Sequence, residues 1–236
     1  MQSHKLYTTI LAAGLVTALS GCLQSGGGGG GGFGGGGGGG GSDYEAAFDA
    51  ASGRAPTSDM PTRIQAEYEG QFKVGVNGGS ADLLGSQIDP QMAEIVGDLE
   101  IGVDWTDGQT ANPFTGKADN ITVTEAGTSN SVVLDGELTV DASLPASLTR
   151  TVIPAQVVGG QSIPEVQTGA MLLHMTGQLS HDGQRGDVTA QLGGNFVGPQ
   201  GEGMIGAVVG GIKDVDDPTA QIFDAGFGGT FYLLKK

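Results

Sequence analysis

The chain has 236 residues, of which 26 are acidic and 10 are basic, so its formal net charge is −16. Such an acidic chain repels phosphate backbones, which excludes a nucleic-acid partner. With a single cysteine in the chain, an internal disulfide framework is excluded as well. The charge also disfavours lying flat on an anionic membrane; it is typical of a well-solvated protein, with a partner that carries a basic face as the sharper alternative.

The first 22 residues have the pattern of a bacterial export signal, in which Lys5 precedes an apolar run that ends in small residues. The apolar run is shorter than the roughly 20 residues that a membrane-spanning helix needs. Leu19 to Cys22, Leu-Ser-Gly-Cys, resembles the lipobox of bacterial lipoproteins. We therefore predict a signal peptide at residues 1–21 and a lipid anchor on Cys22, with an ordinary secretory signal as the alternative.

Residues 22–43 form the next segment, and between residues 26 and 41 only Phe33 interrupts the glycines. Glycine gains little by ordering, because it loses much backbone entropy and has no side chain to bury. A coil of this composition holds its ends on the order of 25 Å apart. We predict a flexible linker that tethers the following domain to the membrane through the lipid on Cys22.

Residues 44–61 are predicted to be a short N-terminal extension, and helical character is confined to DYEAAFDAA at residues 43–51. From residue 62 onward, apolar and polar residues alternate, which predicts strands. The alternation is clearest at residues 62–77, where Tyr68 and Phe72 share one face, and at residues 95–105. Weaker alternation follows at residues 116–125, 131–141, 148–158, 169–181, 186–196, 203–212 and 221–234.

Short turn signals such as Thr106-Asp107-Gly108 separate these segments. Eight or nine antiparallel strands joined by short turns are enough to close a barrel and leave no open edge. Glycines inside the strands, Gly70 and Gly97 among them, allow the bulges that closure needs. We predict an all-β fold for residues 62–236: an antiparallel, about eight-stranded, closed up-and-down β-barrel.

Gly201, Gly203 and Gly206 have the spacing of a dinucleotide-binding loop. That loop requires a strand before the glycines and a helix that begins at them. The residues after Gly206 are short and β-branched, which predicts a strand. The glycines are therefore expected to shape a turn and the entry into a strand.

Ser180, His181 and Asp182 include the residue types of a catalytic triad. Neighbours in a strand point to opposite faces, so the three side chains cannot align as nucleophile, base and orienting acid. No nucleophile elbow or metalloprotease helix accompanies them. We predict that the protein is not an enzyme.

His174 is the natural candidate for haem ligation, with Met175 as a soft second ligand. The two residues alternate sides of a predicted strand, so they cannot bind one iron from the same face. The acidic residues at 214–218 lack the glycine and the terminal glutamate of a calcium loop. We predict neither a cofactor nor a metal site, with haem as the one cofactor left open.

Residues 177–211 resemble the last strands of transferrin-binding-protein-B-like surface lipoproteins, a family whose terminal domain is an eight-stranded barrel. The positions that agree with the family's terminal hairpin are Phe196, Gly198, Pro199, Glu202 and Gly206. The positions that depart from it are Val197, Gly201 and Ala207. The order of lipobox, glycine-rich linker and acidic β-rich domain is also similar to the factor-H-binding and haem-capturing relatives.

The resemblance implies a non-enzymatic, monomeric lipoprotein of the bacterial outer membrane, displayed at the cell surface. Its partner would be a host or environmental protein or an iron source, bound through barrel loops. Transferrin binding itself is not implied, because the chain has room for one barrel only, and no ligand-contacting residue can be transferred to this sequence. The alternative is a structural or assembly lipoprotein of the cell envelope.

Overall fold

The computed structural model describes residues 40–77, 84–215 and 225–236, and most of them lie in antiparallel strands. Helix α1 comes first, and two short 3-10 turns lie at Pro90–Met92 and Pro199–Gly201. The helix and strands are α1 (Gly40–Ser52), β1 (Arg63–Asn77), β2 (Ala93–Thr106), β3 (Phe114–Glu125), β4 (Ser131–Val133), β5 (Asp135–Val140), β6 (Ser147–Ile153), β7 (Gln156–Val158), β8 (Gln161–Ile163), β9 (Val166–His181), β10 (Gln184–Val197), β11 (Gly203–Asp214) and β12 (Ala225–Lys235).

Eight of these strands form a closed ring. Their order is β1, β2, β3, β5, β9, β10, β11 and β12, and β12 pairs again with β1. Every neighbouring pair is antiparallel. The predicted all-β, up-and-down, eight-stranded fold is therefore confirmed. Of the other strands, β4 pairs with β3, β6 with β9, and β7 with β8.

The apolar face of each strand lines the inside of the ring. In β1, Ile64, Tyr68 and Phe72 are buried, whereas Glu67 and Glu69 between them are exposed. β2 repeats this alternation. Every second residue of a strand faces the inside of the ring, and in each strand these residues are mostly apolar. They meet inside the ring and form a single apolar core.

Six long strands pair in almost unbroken register along one side of the ring; we call β9, β10, β11, β12, β1 and β2 the closed wall. Glycines allow the close backbone approach that this wall requires: a Cβ on Gly206 would overlap the carbonyl oxygen of Gly193. At Gly97 the register between β2 and β3 shifts by a bulge, and the ring of Phe72 occupies the space that a Cβ would need. This is the role predicted for Gly97.

The side of the ring opposite the closed wall is broken. Residues 131–141, predicted as one strand, form β4 and β5, because Leu134 between them turns into the core and bonds through its N–H to the carbonyl oxygen of Ile121. Residues 148–158, also predicted as one strand, form β6 and β7, separated by Pro154 and its neighbour. Proline has no N–H to give to a ladder.

A polar turn separates β5 from β6. The carboxylate of Asp141 accepts hydrogen bonds from the backbone N–H and the hydroxyl of Ser143, at 2.8 and 2.6 Å. These hydrogen bonds lower the pKa of Asp141. The turn ends the β5 ladder, and β6 then continues along the same edge of β9.

Helix α1 lies on the outside of the closed wall and contains the helix predicted at residues 43–51. It begins at Gly40, within the last residues of the predicted linker. Tyr44 is buried against Tyr232 and Phe48, and its hydroxyl lies 2.8 Å from Oγ1 of Thr230. Burial raises the pKa of Tyr44 to about 12, because a charged phenolate would lose its hydration there.

The predicted signal peptide, the lipidation site at Cys22 and most of the predicted linker lie outside the described residues. So do residues 221–224 of the last predicted strand, which is described from Ala225 onward. Within the described part of the chain, no helix is long and apolar enough to cross a membrane.

Candidate functional site

One end of the ring, where β1 begins and β12 ends, is closed by residues 54–60; we call it the hairpin end. The N–H of Thr57 donates to the carbonyl oxygen of Phe196, and its hydroxyl donates to that of Gly198 at 2.7 Å. Arg150 donates from Nε to the carbonyl oxygen of Met60 at 2.9 Å. Met60 itself is fully buried. These contacts seal the hairpin end with the chain's own backbone.

A two-stranded ribbon extends beyond this end; we call residues 151–166 the projecting hairpin. The ladder between β6 and β9 places Ile153 opposite Val166, and the ladder between β7 and β8 places Gln156 opposite Ile163. Two residues on each strand separate the two ladders, so the register is the same in both. The projecting hairpin is thus a continuation of the β6–β9 pair that leaves the ring.

The turn of the projecting hairpin has two residues, Gly159 and Gly160, between the paired Val158 and Gln161. Their φ angles are 60° and 84°. A two-residue hairpin of this kind needs positive φ at both positions, as in a type I′ turn, and glycine adopts it without strain. The hairpin therefore has a defined turn.

The projecting hairpin exposes an unusual share of apolar surface. Of the eight large hydrophobic residues that are exposed among the described residues, five lie in it. Val157 is 72% exposed and Val158 is 56% exposed. The others are Val152, Ile153 and Ile163. Clustered apolar exposure of this kind marks an interaction surface more often than single exposed residues do.

Charge distinguishes the projecting hairpin from the rest of the surface. Residues 151–164 carry no charged side chain, although Arg150 and Glu165 flank them. The outer face of β1 and β2, by contrast, places Glu69 directly opposite Glu100. Lys236 compensates part of that repulsion by pairing with Glu69. An uncharged, aliphatic ribbon therefore stands out from an acidic domain.

The interior of the ring offers little room to a ligand. A cavity of about 30 Å³ lies among apolar side chains that include Phe72, Leu99, Met175 and Phe227. A buried water needs about 10–15 Å³ and two or more polar partners, so this space is too small for a cofactor and too apolar for ordered water. Within the described residues, the projecting hairpin is thus a better candidate site than the core.

His174 and Met175 lie on opposite faces of β9, as the alternation predicts. Met175 is buried in the core. His174 is half-buried on the outer face, where Nδ1 lies 2.8 Å from the carbonyl oxygen of Pro145 and Nε2 lies 3.2 Å from Oε1 of Gln191. The structure therefore does not bring the two side chains together at one iron site.

The triad-like residues lie where β9 turns into β10. Ser180 and His181 end β9, and Asp182 begins the turn to β10 with a φ of 49°. Nε2 of His181 lies 3.7 Å from Oδ2 of Asp182. Asp214 ends β11, and residues 216–218 of the acidic turn lie outside the described residues. Among the described residues, no three His, Cys, Asp or Glu side chains converge in a way that could hold a metal ion.

The glycines with nucleotide-loop spacing shape the hairpin end. Gly201 has a φ of 73° in the 3-10 turn, and its carbonyl oxygen accepts a hydrogen bond of 2.9 Å from the hydroxyl of Tyr68. β11 begins at Gly203, and Gly206 makes the close approach to β10. A strand thus follows these glycines where a dinucleotide site would need a helix.

Comparison with known proteins gives no match for this chain: no family model, no curated protein and no solved structure matches it. The resemblance to transferrin-binding-protein-B-like lipoproteins therefore remains an expectation carried by the residues quoted above.

The sequence does not predict the projecting hairpin as a site. Its aliphatic residues have the pattern of a core strand, and β8 was not predicted. Two features could have indicated it: the absence of charge across residues 151–164, and the prolines Pro154 and Pro164 on either side of a central Gly159-Gly160.

Proposed function

We propose that this protein is a non-enzymatic lipoprotein of the bacterial outer membrane, displayed at the cell surface, that binds a protein or iron-source ligand. The exposed aliphatic surface of the projecting hairpin carries the proposal. Five exposed aliphatic side chains within one short hairpin favour association, since each contributes apolar area that a partner can bury. Anchoring rests on the sequence of residues 1–22, and surface display rests on the resemblance to transferrin-binding-protein-B-like lipoproteins.

Binding is tested with full-length protein on cells. Val157→Asp combined with Val158→Asp places two charges on the projecting hairpin, and Val209→Asp makes the same change at a 51% exposed valine of β11. After surface crosslinking and affinity capture, we expect the wild type and Val209→Asp to retain the same partner and the double variant to lose it. Equal retention in all three would contradict binding through the hairpin.

The iron-source branch has its own test. Cells grown with and without iron are compared for transcript level, and the surface protein is tested for capture of haem or of iron-carrying proteins. Induction together with capture would support this branch. If the experiment shows neither induction nor capture, the proposed ligand is restricted to partners unrelated to iron.

Anchoring and orientation are tested separately. Cys22→Ala should abolish lipid labelling and release the protein from the membrane fraction, because the variant carries no acyl groups to hold it there. Protease added to intact cells should release the domain of the wild type. A protected domain would instead favour the second candidate, a structural or assembly lipoprotein that faces inward.

A further inference from the structure

The projecting hairpin has an open backbone edge. β6 pairs with β9 along one side, and no strand among the described residues pairs with its other side. β7 continues β6 in the same register. In an antiparallel strand every second residue directs its N–H and C=O away from its partner. Residues 147–158, interrupted at Pro154, therefore offer unpaired donors and acceptors.

The opposite edge of the same ribbon is covered at its base, at Gln167 of β9. The N–H of Met60 donates to the carbonyl oxygen of Gln167, and the N–H of Gln167 donates to that of Ser58, each at 2.9 Å. Asp59 and Gln167 form a parallel bridge. An extended segment of the chain thus pairs with β9 at the point where the ribbon leaves the ring, whereas no segment within residues 40–77, 84–215 and 225–236 pairs with the free edge of β6.

Exposed edges in folded proteins are usually guarded by charged side chains, bulges or proline. The open edge has one such guard, Pro154, which removes a single N–H donor, and residues 151–158 carry no charge. Arg150 does not guard it, because its side chain turns across the hairpin end to Met60 and Asp107. The edge therefore combines free backbone groups with the aliphatic side chains of Val152, Ile153 and Val157.

We propose that this edge binds an extended segment of another protein, which adds as a strand along residues 147–158. This deepens the proposed function, on which it rests, by naming the chemistry of the partner: an alternating, apolar strand flanked by Lys or Arg. Backbone pairing supplies affinity, and the valine and isoleucine side chains supply selectivity. Basic flanks complement the acidic chain, whose formal net charge is −16.

Two other occupants fit the edge less well. A second copy of this chain would bring a second large negative charge to the contact, and the two copies would repel each other. A lipid surface could bury the aliphatic side chains but would leave the open backbone groups without hydrogen-bond partners.

The test uses full-length protein in detergent micelles and a short synthetic peptide of alternating valine and threonine with two lysines at each end. A twin peptide carries glutamates in place of the lysines. We expect the lysine peptide to bind about tenfold more tightly than its twin. In amide hydrogen exchange the lysine peptide should protect residues 147–158 and leave β11 unchanged.

Val157→Lys places a charge beside the open edge and should lower the affinity for the lysine peptide about tenfold. Val209→Lys should not change that affinity. Absence of binding, equal affinity in both variants, or protection located elsewhere would overturn strand addition. If strand addition fails while the aspartate variants still lose their partner on cells, the proposed function stands without it.

The same proteins test the other two occupants. A concentration-dependent dimer in sedimentation that Val157→Lys abolishes would overturn the proposal in favour of a second copy. Binding of unlipidated Cys22→Ala protein to phosphatidylcholine vesicles, again abolished by Val157→Lys, would overturn it in favour of lipid.

Discussion

The closed wall and the broken side of the ring differ in how completely their strands are paired. β10 and β11 pair without a break from Gly186 opposite Asp214 to Val197 opposite Gly203. Across the ring, β3 and β5 share only the pairs of Lys117 with Thr139 and of Ala118 with Leu138. β6 then leaves the ring as one strand of the projecting hairpin. Stability and binding surface are therefore placed on different sides of one domain.

The difference has a physical basis. Long paired strands with a buried face open only when the whole domain unfolds, whereas a ribbon with exposed faces and a free edge opens locally. Loops and ribbons held by a rigid scaffold are also where proteins place binding residues. Substitutions in the closed wall, in α1 and in the projecting hairpin should therefore have unequal effects on stability.

Gly229→Ala should strongly destabilise the domain or prevent folding. Its Cβ would overlap the carbonyl oxygen of Lys73 in the adjacent strand, and the closed wall cannot shift one strand without moving its neighbours. We expect a loss of about 3 kcal/mol or more in the free energy of unfolding, measured by urea denaturation. Gly228→Ala is the matched control, because the nearest atom to its Cβ is 3.9 Å away. Equal effects would contradict tight packing of the wall.

Tyr44→Ala should detach α1 from the closed wall. The substitution removes a buried aromatic ring and its hydrogen bond to Thr230. We expect a loss of about 2–3 kcal/mol in the same assay, together with faster amide exchange in α1. Asp49→Ala, an exposed change on the same helix, should have little effect. A stable Tyr44→Ala protein with a protected helix would refute this docking.

Tyr68→Phe should change how stability depends on alkaline pH. Burial raises the pKa of Tyr68 to about 12, so above pH 10 the unfolded chain loses this proton before the folded domain does. The stability that Tyr68 contributes is complete below pH 10 and falls as the pH rises toward 12. At pH 11 we expect the wild type to have lost about 1 kcal/mol more than Tyr68→Phe, relative to pH 9. Parallel pH profiles would contradict burial of this hydroxyl.

The projecting hairpin should show the smallest effect on stability. Val157→Asp with Val158→Asp changes side chains that already face water, so we expect a loss below about 0.5 kcal/mol. Thermal and urea unfolding of the double variant, beside Val209→Asp, provides the measurement. A loss comparable to that of Tyr44→Ala would mean that the hairpin contributes to the core and is not a separate binding surface.

The sequence predicts the closed wall better than the broken side. In residues 62–77 most of the residues that alternate with the apolar ones are charged or carry an amide, so the sequence predicts both the strand and its buried face. At residues 131–141 the alternation continues through the break at Leu134, whereas at residues 148–158 it is weak on both sides of Pro154. Each segment is predicted as one strand but forms two. The alternation of apolar and polar residues indicates that a segment is extended. Where a strand ends, however, depends on which neighbouring strand is present to pair with it, and the sequence pattern does not contain that information.

The candidate site was predictable only in part. Closing glycines such as Gly206 could be assigned to a strand because no helix pattern follows them. Val157 and Val158, however, have the sequence character of buried residues. They are exposed because the hairpin extends past the end of the ring from Thr151 onward. How far a strand extends beyond its neighbours depends on the tertiary structure and cannot be read from the sequence of that strand.

Native-state hydrogen exchange of the full-length protein tests the division between the two regions most directly. We predict that amides in β10, β11, β12 and β1 exchange only through global unfolding, and that residues 151–166 exchange through local opening at a far lower free energy. Exchange of the projecting hairpin at the same free energy as the closed wall would show that the two regions open together, and would contradict their separation.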